Sequence, residues 1–134
     1  MNRVVKLEGV GDSHEKKLKS AGINSVESLL DKGASASGRK GIAEETGISP
    51  TIILKLVNHA DLFRIKGVAG EYAELLEAAG VDSVPELAHR RADNLHSKMA
   101  ETNAAKNLVR RLPAKSVIQR WIDQAKTLPK VVTH

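Results

Sequence analysis

The chain repeats itself, and no other feature limits its fold as strongly. Gly9–Leu29 (GVGDSHEKKLKSAGINSVESL) lies over Gly67–Leu87 (GVAGEYAELLEAAGVDSVPEL) at an ungapped offset of 58 residues. Gly9, Val10, Leu18, Ala21, Gly22, Ser25, Val26 and Leu29 recur as Gly67, Val68, Leu76, Ala79, Gly80, Ser83, Val84 and Leu87. Ile23 and Asn24 return conservatively as Val81 and Asp82. Glycines that fall at matching turns require the same local backbone twice, so the fold must contain two copies of one supersecondary unit. The likeness then fades. Ile42-Ala43-Glu44 resembles Met99-Ala100-Glu101, and Leu56 to Ala60 resembles Trp121 to Ala125 once extra residues are allowed around Ala104–Leu112. The repeat divides the chain into residues 1–65 and 66–134. Phe63–Lys66 runs directly into Gly67, which predicts no flexible linker and two halves packed as one unit.

The local pattern is helical. Sixteen alanines and few β-branched alternations favour helix over strand. Gly22 and Gly80 each close a helical run ending in Ala-Gly, where a left-handed residue suits glycine. Ser25 and Ser83 then read as N-caps, with Glu86 completing a capping box and Pro85 tolerated in the first turn. Ser49-Pro50 opens a longer helix carrying Ile53, Leu56, Val57, Ala60 and Phe63 or Ile65 at three-to-four spacing. A last helix runs from about Ala114 to Leu128, with Val117, Ile118, Trp121, Ile122 and Ala125 on one face, and Pro129 stops it. Lys130–His134 reads as a frayed tail. The expectation is an all-α protein with about nine or ten short helices and no sheet.

Each repeat opens with a helix, a glycine-bearing turn and a second helix ending at Leu-x-x-Ala-Gly. In such a turn the first glycine takes a conformation that a side chain would forbid, and the second lets a backbone approach. The amide groups of the following helix then point outward with the positive end of its dipole, which suits a phosphate. The residues concerned are Gly9, Val10 and Gly11 in the first copy and Gly67, Val68, Ala69 and Gly70 in the second, with the valine as an apolar anchor.

Leu7-Glu8-Gly9-Val10-Gly11 followed by Leu18-x-x-Ala21-Gly22 resembles the helix-hairpin-helix motif, as does Ile65-Lys66-Gly67-Val68 with Ala73, Leu76 and Gly80. Over about residues 3–130 the chain is similar to an uncharacterised bacterial family of tandem helix-hairpin-helix proteins, a domain of unknown function. Each half also resembles the C-terminal domain of the bacterial RNA polymerase alpha subunit in helix order. The resemblance implies two tandem subdomains and contact with a nucleic-acid backbone without sequence preference. It brings no established activity. Glu15 stands where that motif has a small residue, Asp12 puts a negative charge at the turn, and Ala69 replaces the second glycine. Glu71, Glu74 and Glu77 follow the second turn, whereas Lys16, Lys17 and Lys19 follow the first, so the first copy is the better phosphate site.

The net charge is +5, unevenly spread. Residues 66–88 carry one lysine against five acids, and residues 89–134 carry ten lysines and arginines against three acids. Arg90, Arg91, Arg110 and Arg111 form two pairs suited to phosphate. The same asymmetry would also serve self-association of acidic on basic helices. Cysteine is absent, which removes disulfides, thiolate nucleophiles and cysteine-ligated metals and points to the cytoplasm. No window is apolar enough to span a membrane, and the first 20 residues hold no signal-like apolar run. The five histidines lack metal-site spacing, and no nucleophile elbow, Walker loop or dinucleotide fingerprint occurs. Three aromatic residues at core spacing cannot make a stacking platform.

These readings converge on a small non-enzymatic protein that needs no cofactor or metal and binds DNA or structured RNA through its phosphates. Gly9, Val10, Gly11, Ser13, Lys16, Lys17, Gly67, Gly70, Arg90, Arg91, Arg110 and Arg111 would form the interface. The alternative is a protein–protein adaptor, or a homodimer, in which the turns are purely structural.

Overall fold

The computed structural model describes Leu7 and residues 10–134, and among these it is all-α with eight helices and no strand. These are α1 (Asp12–Ser20), α2 (Val26–Gly33), α3 (Ala36–Thr46), α4 (Pro50–Leu62), α5 (Gly70–Ala78), α6 (Val84–Ala88), α7 (Ala92–Lys106) and α8 (Lys115–Thr127). The chain divides into two compact units: residues up to Asp61 together with Val131–His134, and Leu62–Lys130.

The repeat is reproduced down to individual hydrogen bonds. α1 and α5 begin and end 58 positions apart, from Asp12 and Gly70 to Ser20 and Ala78. Gly22 and Gly80 take left-handed φ values of 81° and 98°, which is why glycine recurs there. Around them the amides of Gly22 and Ile23 donate to the carbonyls of Lys19 and Leu18 at 2.9 and 2.8 Å. In the second copy Gly80 and Val81 donate to Glu77 and Leu76 at the same distances. A cation closes each turn: Lys32 Nζ reaches the Ala21 carbonyl at 3.2 Å, and Arg90, 58 positions later, reaches the Gly80 carbonyl at 3.0 Å. Ser25 and Ser83 cap α2 and α6 by accepting from the amides of Ser28 and Glu86. The capping box lies in the first copy, where Ser28 returns the bond to the Ser25 amide. Glu86 does not complete one as the sequence suggested, because its carboxylate is drawn to the Arg90 guanidinium at 3.0 Å.

In the first unit α1 and α2 pack on α3, and Leu18, Ile23, Leu29, Ile53 and Val57 are fully buried. In the second, α6 and α7 pack on α8 and α5 packs on α7, around Leu75, Leu76, Leu87, Met99, Ile118 and Trp121. Phe63 is only half-buried just beyond α4, and Ile65 takes the core position. The inserted residues that blur the second half of the repeat form no extra helix. Asn107 adopts φ 52°, and the Asn103 side chain accepts from the amides of Leu108 and Val109 and donates to the Val109 carbonyl. These bonds hold the connector off the helical path, so it adds no helix to the eight among the described residues; the helix expected to open the first repeat falls on residues outside them.

The tail corrects the sequence reading. Far from being frayed, it is bonded into the first unit: Val132 is buried, the Thr133 amide donates to the Ala34 carbonyl at 2.8 Å, and Arg39 Nη2 donates to the Thr133 carbonyl at 2.7 Å. Buried Arg39 also bonds the carbonyls of Gly33 and Ala34, closing the α2–α3 turn. A buried guanidinium needs several acceptors, and the tail supplies one. Arg39→Ala is therefore expected to lower stability by about 2 kcal/mol. The same substitution in a chain ending at Lys130 should cost less, because the shared bond is already gone. Chemical denaturation of the four chains of that double-mutant cycle measures the difference, and additive losses would contradict the shared bond.

Candidate nucleic-acid interface

Gly9 lies outside the described residues. Val10 is buried and its amide donates to the Leu7 carbonyl, as Val68 donates to Ile65 in the second copy. Both valines anchor their turns. Gly11 is the N-cap of α1, with φ −93° and ψ −177°, and no side chain caps the helix. Ala69 takes the same place at the head of α5 with nearly identical angles, −94° and 178°. An alanine thus satisfies this backbone, and a Cβ on Gly11 would meet nothing within 4 Å. The expected need for a second glycine is not met. Gly70 supplies no extra turn freedom either, since it is the first residue of α5 and buried.

Ser13, Lys16 and Lys17 are exposed on α1, with Lys19 beside them. Asp12, in the first turn, is exposed at the amide-bearing end. Glu15 is buried on the opposite side with Leu18. The free face of α1 is therefore basic along its length and acidic at its tip.

Gly67 does require glycine. It has φ 94°, and an added Cβ would stand 3.1 Å from Trp121 Nε1. The turn before it is clamped to α8, where Gln124 accepts from the Lys66 amide at 3.0 Å and donates to the Lys66 carbonyl. Gly67→Ala is expected to destabilise the protein by about 1–2 kcal/mol through the left-handed backbone alone. Gly11→Ala should fall within about 0.5 kcal/mol of the parent. Thermal melts followed by circular dichroism compare the two, and equal losses would refute this assignment of backbone roles.

The four arginines do not act as one group. Arg90 is committed to the Gly80 carbonyl and to Glu86, and so serves first as a staple between α5 and α6. Arg91 is the N-cap residue of α7, with its side chain 78% exposed and Asp93 3.8 Å away. Both line an open cleft of about 660 Å³, together with Lys115, Gln119 and Lys126 of α8. Arg111 lines a different cleft, and Arg110 is exposed on the connector. Lys115, Gln119, Ile122 and Lys126 repeat at helical spacing along one face of α8, a signal visible in the sequence but overshadowed by the paired arginines.

The first cleft joins two favourable features. The first turns of α7 and α8 open onto it, and no side chain caps either helix. The Asp93 carboxylate already accepts from the Asn94 amide at 2.9 Å, and the positive dipole ends of the two helices favour an anion at the rest of the cleft. Arg91, Lys115 and Lys126 add full charges, and the lysines form no ion pair among the described residues. Asp93 is the one opposing carboxylate in the lining. Among the described residues no cluster of three or more histidine and carboxylate side chains could hold a metal, and no helix is long and apolar enough to cross a membrane.

The chain belongs to a family described as a domain of unknown function, DUF4332, whose model matches residues 8–128. No curated protein and no solved structure matches it.

Proposed function

We propose that this domain is a non-catalytic, cytoplasmic nucleic-acid-binding module that holds DNA or structured RNA by its phosphates, irrespective of sequence. The observation that carries the reading is the cleft at the heads of α7 and α8, where the positive ends of two helices and the charges of Arg91, Lys115 and Lys126 line one space. In the first unit the exposed head of α1, with Gly11, Ser13, Lys16 and Lys17, offers a second and weaker phosphate contact. The turns at Val10 and Val68 are then helix-hairpin-helix turns in function as well as in pattern. The described surface supports a polar partner rather than an apolar one, because Ile52, 38% exposed, is its only exposed large hydrophobic side chain.

Fluorescence anisotropy of labelled duplex and single-stranded DNA at several salt concentrations tests the proposal. Salt-sensitive binding is expected, because neutralised phosphates release counterions. Replacing Arg91, Lys115 and Lys126 together by alanine should weaken binding and lower the log–log salt slope by about 2 to 3. Gly11→Asp, which adds charge without filling occupied space, should weaken it less. No binding at low salt overturns the proposal. Binding that these substitutions leave unchanged overturns the assignment of the cleft.

A further inference from the structure

The second unit gathers acidic charge on one helix. α5 buries Ala73, Leu75 and Leu76 and leaves Glu71 exposed and Glu74 half-buried on its other side, with the small Ala78 on the same face. Asp82 is exposed just past the turn that ends this helix. None of Glu71, Glu74 and Asp82 forms an ion pair among the described residues. Tyr72 is engaged elsewhere: its ring lies against Trp121 with centroids 5.6 Å apart, and its hydroxyl donates to the Arg111 carbonyl at 3.2 Å. The free face of α5 therefore presents unpaired carboxylates around one small residue.

The basic cleft of the same unit has the opposite charge and shares no residue with this face. Arg91, Lys115 and Lys126 line it, and the two lysines stand eleven residues apart on α8, about 16 Å along the helix. α5 is nine residues long, about 13 Å, so its length matches that row of charge. Between the cations the lining includes the buried, apolar Ala92 and Ile122, against which a small side chain packs without stranding a charge. Like charges keep either patch from meeting its own counterpart on another copy. The complementary arrangement is acidic face to basic cleft.

We infer that the chain self-associates head to tail, with the acidic face of α5 seated in the basic cleft of a second copy. Glu71 and Glu74 then meet the cations of the cleft, and Ala78 lets the helix approach its floor. Because the two surfaces are different patches, each contact leaves one of each kind free, and association continues into a ring or an open row. The contact is small and polar, so it is transient and weakened by salt. It needs only the charge of the cleft, not nucleic-acid binding, and a nucleic acid would compete with the second copy for the same surface.

Sedimentation velocity of the full chain tests this, from about 10 µM to about 1 mM protein and at about 0.05 and 0.3 M salt. The mean sedimentation coefficient should rise with concentration at the lower salt and fall back at the higher. Glu71→Gln with Glu74→Gln, and separately Lys115→Gln with Lys126→Gln, should each weaken association about tenfold, the loss of two exposed ion pairs. An equimolar mixture of these two variants should form a one-to-one complex and nothing larger, since one acidic face and one basic cleft remain between them. Both variants keep a net positive charge, so net charge does not draw them together. A chain that stays monomeric at the highest concentration and lower salt overturns the inference. Association that either pair of substitutions leaves unchanged overturns it too, as does a mixture no larger than its parts. Self-association of this kind in a chain that binds no DNA by anisotropy supports the inference while overturning the nucleic-acid proposal.

Discussion

The left-handed turn at Gly22, with its counterpart at Gly80, is the constraint on which both units depend. It ends the first helix of each copy and reverses the chain so that the next serine caps a second helix. The turn leaves carbonyls at the helix end without helical partners, and a cation fills that need in each copy, Lys32 in one and Arg90 in the other. This explains why part of the basic charge is unavailable to a partner. Arg90 looks like half of a phosphate-binding pair in the sequence, yet its guanidinium closes a turn and pairs with Glu86.

Beyond the shared turn the two units spend their later residues differently. In the first, Gly47 ends α3 in a left-handed conformation and α4 follows within a few residues. In the second, Asn107 ends α7 in the same way, but the Asn103 side chain then holds the following residues in a connector. That connector brings Arg111, Leu112 and Pro113 to the Tyr72–Trp121 pair and places Ala114 at the head of α8. The basic cleft and the cleft lined by Arg111 both border the head of α8. The added residues that obscure the repeat are thus the residues around which the second unit builds its surface.

Much of the fold was legible because its signals are local. Glycines before serine caps, a proline in a first turn and apolar residues at three-to-four spacing act within a few residues of themselves, and every helix they indicated is present. The readings that needed correction turned on a competing bond, on a backbone that admits more than one residue type, or on a partner distant in the chain. Glu86 preferred Arg90 to its own N-cap, and Ala69 showed that the position of Gly11 needs no glycine. The tail was secured by Arg39, which lies far from it in sequence. The candidate site was less legible than the fold. Lys115 and Lys126 sit eleven residues apart and acquire meaning only when the head of α7 is set against them.

The sequence by itself determined the all-α class, the twofold repeat, the turn glycines and the buried faces of α4 and α8, since backbone sterics and hydrophobic periodicity are properties of neighbouring residues. Tertiary structure alone decided which charges are free. Arginine and lysine side chains are long and equally suited to a phosphate, a carboxylate or a backbone carbonyl, and only the packed arrangement shows which acceptor lies in reach. It turned Arg90 and Arg39 inward onto carbonyls and left Arg91, Lys115 and Lys126 around an open cleft.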